Sequence, residues 1–169
     1  EDGTFRITTN KEKEYLSNNV LLAIGRRGSP RKLNIPGEDT EKVAYRLLEP
    51  ELISEKKIIV IGGGDSAVEA VLLLKDANDV ILSYRKDKFA RLKPKNRDKI
   101  KQADEDGSIQ IIYNSNLVEI KEDHVILQVE DESTTRTIEN DLVYIFAGGE
   151  LPTTFLEKAG VEITKRFGY

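Results

Sequence analysis

The chain has 169 residues, which is enough for one ordinary domain and too few for two full ones. Its 38% hydrophobic and 33% charged residues are typical of a soluble globular protein, and its apolar runs are far shorter than a membrane span. The net charge of −4 argues against nucleic acid as a partner, and the absence of Cys excludes disulfides and thiolate metal sites and leaves redox chemistry to a bound cofactor.

The first part of the chain is predicted to be a hairpin followed by a long loop. Residues 4–9 and 15–24 have the composition of strands, and the polar stretch 10–14 between them is typical of a turn. Gly and Pro recur through residues 25–38, so this segment is predicted to be a loop.

The next segment has the pattern of a βαβ unit. Residues 57–61 form a continuous β-branched run, which is typical of a strand buried on both faces of a parallel sheet. Three glycines follow, then residues 66–77 carry apolar side chains at helical spacing, and residues 80–84 are predicted to be the next strand.

The second half of the chain is predicted to add further strands and two helices. A charged surface helix and a short late helix are predicted at 96–105 and 155–159, and further strands at 109–113 and 142–147. Between them, residues 117–120, 125–130 and 134–138 are predicted to form a three-stranded meander. The predicted fold class is therefore α/β, a Rossmann-like domain with a parallel sheet and a β-meander.

The turn after the strand at 57–61 carries a dinucleotide-binding fingerprint, G-x-G-x-x-G/A, between a strand and a helix. Gly62 permits a tight turn, Gly64 leaves room for a pyrophosphate, and Ala67 lets the helix pack closely on the sheet. The helix N-terminus offers free N–H groups and the positive end of its dipole to a diphosphate. A nucleotide-free fold with a structural glycine turn is the alternative. The predicted cofactor-binding residues here are Gly62, Gly63, Gly64, Asp65, Ser66 and Ala67.

A basic cluster follows the second strand of this unit, where sites that prefer NAD place a carboxylate. Arg85 and Arg91 are predicted to bind a 2′-phosphate through charge-assisted hydrogen bonds, each worth roughly 1.5–3 kcal/mol. This predicts NADPH as the preferred cofactor, with NADH possible. A solvated run of surface charge is the alternative. Tyr84 is expected either to stack on adenine or to pack against its neighbours.

These two segments resemble the NADPH domain of thioredoxin reductases, in which the same fingerprint is followed by a His-Arg-Arg motif. Here Tyr84 replaces the His and Lys86 replaces the second Arg. Residues 20–25 and 142–148 resemble the two short motifs that link the flavin domain to the pyridine-nucleotide domain in that family. The resemblance implies that Tyr84, Arg85, Lys86, Arg91 and Gly148 belong to the cofactor site.

Two departures limit what the resemblance implies. Residues 43–55 contain no Cys, whereas thioredoxin reductases hold a redox Cys-x-x-Cys there, so dithiol exchange with thioredoxin is not expected. That absence is shared by the thioredoxin-reductase-like ferredoxin–NADP reductases and by the bacillithiol disulfide reductases. Residues 45–51 of this chain resemble the linker of those proteins. The N-terminal flavin fingerprint and the C-terminal Gly-Asp flavin motif are also missing, so FAD is not expected to be held by this chain alone.

By resemblance, the parent protein is an FAD-dependent oxidoreductase that passes hydride from NADPH to FAD and then electrons to ferredoxin or a small disulfide. No residue here is predicted to be catalytic in proton transfer. The expected division is flavin-domain strands and linker at 1–40, the NAD(P)H-binding domain at 41–147, and a return segment toward the flavin domain at 148–169. The chain does not begin with Met and contains none, so it is expected to be a fragment of a longer protein. The absence of Cys favours a cytoplasmic setting, and the resemblance implies a homodimeric parent. The alternative function is a stand-alone NAD(P)H-sensing module.

Overall fold

The structure, a computed structural model, describes residues 3–23, 30–130, 133–149 and 152–164. The chain divides into two compact units, one formed by Ser29–Leu151 and the other by Glu1–Gly28 with Pro152–Tyr169. The assignment of the terminal segments to a flavin domain remains a prediction. No helix in the described ranges is long and apolar enough to cross a membrane.

The smaller unit contains a two-stranded hairpin and a short helix. Strands β1 (Phe5–Thr8) and β2 (Glu14–Ser17) pair antiparallel, as predicted, and helix α3 spans Thr153–Lys158. The prediction that the second strand reaches residue 23 is wrong, and residue 24 lies outside the described residues. Strand β2 ends at Ser17 because its last partner is Phe5, the first residue of β1.

The larger unit is built on a five-stranded parallel sheet with the order β3-β10-β4-β5-β6. Strand β4 is central, and it pairs with β10 on one side and β5 on the other. The strands span Val43–Ala44 (β3), Lys57–Ile61 (β4), Asp79–Ser83 (β5), Gln110–Ile112 (β6) and Leu142–Ile145 (β10).

Two helices cover one face of this sheet. Helix α1 spans Asp65–Leu74 and helix α2 spans Pro94–Glu105. Ile58 and Val60 point toward these helices and pack with Val68 and Leu74 of α1 and Ile100 of α2 in one buried cluster. The apolar spacing of α1 therefore matches the face that it buries.

A three-stranded antiparallel meander covers the other face. It consists of β7 (Ser115–Ile120), β8 (His124–Val129) and β9 (Arg136–Glu139). Ile59 and Ile145 of the parallel sheet pack with Leu117, Val125 and Leu127 of the meander. Successive residues of β4 thus face opposite layers, which is why this strand is apolar at nearly every position.

The α/β fold class predicted from the sequence is confirmed, and the structure adds two short elements in the connector before β4. Strand β3 and a 3-10 turn at Pro50–Leu52 were not predicted, because two residues and one turn are too short to show a periodic pattern. Helix α1 ends at Leu74, three residues before its predicted end. There the Asn78 side-chain amide donates to the carbonyl oxygens of Leu74 and Ile53, which ties the helix end to the connector.

Candidate functional site

A cavity of about 450 Å³ opens where β4, β5 and β10 end and β7 begins. Ligands of open α/β sheets bind at the carboxyl ends of the strands, and the size is within the usual range for a ligand site. The lining residues all belong to the larger unit. They are Arg31, Leu33, Ile61, Gly62, Gly63, Gly64, Ser83, Tyr84, Arg85, Lys86, Ala90, Arg91, Ser115, Asn116, Leu117, Phe146, Ala147 and Gly148.

The glycine turn, which consists of residues 62–64, lines this cavity. Gly62 has a φ of +146°, a conformation that favours glycine, and its N–H donates to the Ser83 carbonyl oxygen at 3.0 Å. A Cβ at this position would lie 2.7 Å from the carbonyl oxygen of Phe146 and 3.2 Å from the Ala67 Cβ. The turn therefore needs Gly62 for its backbone conformation and for the close approach of β10 and α1.

The N-terminus of α1 faces open space. Gly64 is the N-cap, and a Cβ added to it would meet no atom within 4 Å. The first-turn N–H groups of an α-helix have no acceptor within the helix, so they are available to a ligand. Absence of a side chain at Gly64 keeps the way to these groups clear, as a diphosphate requires.

Tyr84 packs on the glycine turn. A Cβ at Gly63 would lie 2.1 Å from the Tyr84 Cε2, so the ring lies directly against this glycine. The ring is also stacked on Phe89, with centroids 5.1 Å apart and planes at 12°, and Phe89 meets Tyr113 edge-on. The Tyr84 ring thus packs against Gly63 and Phe89, and its stacking on adenine stays a prediction.

Four cationic side chains line the cavity from two directions. Arg85, Lys86 and Arg91 follow β5, and Arg31 comes from the loop before β3. All four residues are exposed, and none of them is paired with a carboxylate in the part of the chain that the structure describes. Among the described lining residues none is acidic. The cavity is therefore suited to an anion although the chain as a whole is negative.

Arg31 was not identified from the sequence. It lies in a Gly- and Pro-rich loop, and it reaches the cavity because its N–H donates to the Gly148 carbonyl oxygen at 3.0 Å, next to a bridge between Pro30 and Gly149. The only local signal was the pair of cations at residues 31 and 32. Lys32 is bound to Asp39 at 2.7 Å, whereas Arg31 lines the cavity.

A buried carboxylate organises the loop that carries Arg31. Glu38 is 5% exposed and accepts hydrogen bonds from the N–H groups of Leu33, Asn34 and Ile35 and from the Tyr45 hydroxyl. Burial acts to raise the pKa of Glu38, but these donors outweigh it and hold the pKa below its ordinary value. The pKa of the Tyr45 hydroxyl is raised, mainly by burial and to a smaller extent by its hydrogen bond to Glu38.

Three residues of the predicted fingerprint do not line the cavity. Ala67 is buried under the turn, and Ser66 is exposed at the start of α1. The Asp65 carboxylate accepts hydrogen bonds from the Lys93 N–H at 3.0 Å and the Asn96 amide at 2.7 Å. Both hydrogen bonds lower the pKa of Asp65, and the bond from Asn96 has the larger effect. Asp65 thus joins α1 to the N-terminus of α2, and its cofactor role stays a prediction.

Two buried serines join the cavity wall to the meander. The hydroxyls of Ser83 and Ser115 lie 2.7 Å apart, and Ser115 donates to the Ile112 carbonyl oxygen at 2.7 Å. Ser115 and its neighbour Asn116 bring the start of β7 into the lining. Neither Ser115 nor Asn116 was predicted from the sequence to belong to the site, because their approach to β5 depends on the turn between β6 and β7.

A family model described as pyridine nucleotide-disulphide oxidoreductase matches residues 1–168. The chain belongs to this family. It is 32% identical over 170 residues to a bacilliredoxin reductase of Bacillus subtilis, covering 99% of this chain and 52% of that protein. It is 30% identical over 174 residues to a ferredoxin–NADP reductase of Geobacillus kaustophilus, covering 98% of this chain and 51% of that protein.

Solved structures of the family have the same fold. The bacillithiol disulfide reductase of Staphylococcus aureus matches with a TM-score of 0.89 and 28% identity, covering 98% of this chain and 51% of that one. The predicted resemblance to thioredoxin-reductase-like proteins is therefore confirmed. The chain spans about half the length of the curated relatives it matches.

Proposed function

We propose that this chain is the NAD(P)H-binding domain of an oxidoreductase that passes hydride from NADPH to FAD and then electrons to a ferredoxin or a small disulfide. A nicotinamide supplies the hydride chemistry when it is bound. The residues of the chain bind and orient the dinucleotide, and no proton transfer is assigned to any of them.

One observation carries the proposal: a single cavity joins the glycine turn, the N-cap of α1 and a set of cations with no carboxylate among its described lining residues. The open space beside Gly64 leaves room for the diphosphate. Arg85, Lys86 and Arg91 then offer charged donors to a 2′-phosphate at the end of β5. This arrangement supports NADPH over NADH.

The proposed acceptors rest on the names of the relatives. One relative is a ferredoxin–NADP reductase, and others are named as reductases of bacilliredoxin or of bacillithiol disulfide. The absence of Cys in this chain excludes a dithiol of its own as the electron carrier. The acceptor is tested in the full-length parent, by comparing NADPH-dependent reduction of a ferredoxin with that of a bacillithiol-type disulfide.

The first experiment is calorimetric titration of the chain with NADPH and, separately, with NADH. We expect NADPH to bind more tightly, by about tenfold or more for one charge-assisted contact to the 2′-phosphate. The Arg85→Ala variant is expected to lose NADPH affinity and to keep NADH affinity. Lys88→Ala is the matched control, since Lys88 is an exposed cation of the same loop that does not line the cavity. Failure of the chain to bind either dinucleotide contradicts the proposal.

A further inference from the structure

We infer that Arg31 binds the diphosphate, the charged group that NADH and NADPH have in common. It does so from the side of the cavity opposite the cations that follow β5. This rests on the proposed function and assigns the cavity two kinds of cation. The cations after β5 select the cofactor, whereas Arg31 strengthens binding of both dinucleotides without discriminating between them.

The strand order separates the two kinds of cation. Strand β4 lies between β10 and β5, and the glycine turn that follows it occupies the middle of the cavity. Arg85 and Arg91 follow β5 on one side. Arg31 is on the other side, because its N–H is bonded to the Gly148 carbonyl oxygen after β10.

The chemistry of the ligand gives these sides different roles. A dinucleotide places its diphosphate between two nucleosides, and the N-terminus of α1 in the middle of the cavity is the anion site for that diphosphate. With the adenosine 2′-phosphate at the β5 side, the nicotinamide half extends toward the β10 side. That half carries no phosphate beyond the diphosphate, so the negative charge that Arg31 meets there is present in both NADH and NADPH.

The local structure prepares Arg31 for an anion. Its guanidinium has planar, paired donors that match phosphate oxygens. The neighbouring Lys32 is held by Asp39 at 2.7 Å, while Arg31 has no carboxylate partner in the described part of the chain. The Glu38 carboxylate accepts the backbone N–H groups of residues 33–35, which follow Arg31 and Lys32 in the same loop, and so holds that side of the loop in place.

The test compares Arg31→Gln with Arg85→Gln in titrations of the whole chain with NADPH, NADH and ADP-ribose. We expect Arg31→Gln to weaken all three ligands by a similar factor of roughly ten, the effect of losing one charged contact. Arg85→Gln is expected to weaken NADPH alone. Lys32→Gln is the matched control and should leave all three affinities unchanged, and Arg31→Lys should restore part of the loss because it keeps the charge.

The outcomes distinguish this inference from the function on which it rests. Unchanged affinities in Arg31→Gln, or a loss confined to NADPH, overturn the role of Arg31 while the wild-type titration still supports a dinucleotide site. No binding by the wild-type chain overturns both. Because Arg31 is exposed, thermal unfolding of the variant should match the wild type, so a change in affinity reports on the contact rather than on the fold.

Discussion

Gly63 and Tyr84 couple the glycine turn to the basic loop through direct contact. The Tyr84 ring fills the space that any side chain at position 63 would need, and the same ring is stacked on Phe89. The middle glycine of the fingerprint is therefore required by an aromatic neighbour within the protein, whereas a Cβ at Gly64 would meet open space and its role in ligand binding stays a prediction.

These two glycines are expected to respond differently to alanine. Gly63→Ala should lower the free energy of unfolding by about 1–3 kcal/mol, because overpacking displaces the Tyr84 ring. Gly64→Ala should leave the free energy of unfolding nearly unchanged, because its Cβ enters open space, and should weaken NADPH binding. Urea unfolding and calorimetric titration of both variants measure this, and equal stability of the two variants would contradict it.

Glu38 is expected to make stability depend on acid pH. Its pKa is lowered in the folded chain, so protonation favours the unfolded chain, where a Glu has a pKa of about 4.3. The stabilisation is present above that value and is lost as the pH falls through the lower pKa of the folded state. Glu38→Gln should cost about 1–3 kcal/mol at neutral pH and should make the acid dependence shallower.

Thermal unfolding of the wild type and Glu38→Gln as a function of pH tests this prediction. Asp39→Asn is the matched control, because the Asp39 side chain is 89% exposed and its ion pair with Lys32 lies at the surface. A pH profile of Glu38→Gln that is parallel to that of the wild type would assign the acid dependence to other carboxylates.

Helices α1 and α2 are held together at their N-termini by the Asn96 side chain and by the Lys93 N–H, which also donates to Asp65. The Asn96 amide donates to Asp65 at 2.7 Å and to Glu69 at 3.0 Å, and Asn96 is 9% exposed. Because both carboxylates share this donor, the contact fixes the start of α1 beside the start of α2.

Asn96→Ala is expected to lower the free energy of unfolding by about 1–3 kcal/mol, since it removes the donor that Asp65 and Glu69 share and leaves Asp65 with the Lys93 N–H alone. Chemical unfolding followed by circular dichroism measures the loss. Lys95→Ala, at an exposed position of the same helix, is the control and should change the free energy by less than about 0.5 kcal/mol. An equal loss of unfolding free energy in both variants would show that the Asn96 contact does not stabilise the fold.

The elements with long periodic patterns were predictable from the sequence, and the short ones were not. The run at Lys57–Ile61 was predicted to the residue and the helix after it to within three residues, because a long apolar pattern leaves a strong signal. Strand β3 is two residues long and exists only through its pairing with β10. The position of β10 between β3 and β4 likewise follows from tertiary pairing, which no local pattern records.

The same distinction holds for the candidate site. The fingerprint and the cluster after β5 are contiguous in sequence, so Gly62, Gly64 and Arg85 were recognisable as candidates. Arg31 and Ser115 come from distant segments that a backbone bridge and a turn bring to the cavity. The roles of all these residues in binding remain predictions until they are titrated.

The charge of the whole molecule and the charge of its cavity are opposite. The chain has a net charge of −4, yet four cations and no described carboxylate line the cavity. Binding of an anion must therefore depend on local attraction over distances shorter than the Debye length, which is about 10 Å at 0.1 M salt.

NADPH affinity is expected to fall more steeply with salt than NADH affinity, because the 2′-phosphate adds charge that meets exposed cations. Titrations from about 0.03 to 0.3 M ionic strength measure the two slopes. Arg85→Gln should bring the NADPH slope close to that of NADH. Equal slopes in the wild type would indicate that the 2′-phosphate lies away from the cations.

The place of β10 in the sheet has a consequence for the order in which the protein is made. Strand β4 leaves the ribosome long before Leu142–Ile145, the strand that pairs with one of its edges, and that edge stays open until β10 has been synthesised. An open, apolar strand edge invites pairing with other chains. The nascent chain thus has an extended interval in which it needs protection from aggregation. Residues 146–148, which form one wall of the cavity, are synthesised only at the end of that interval.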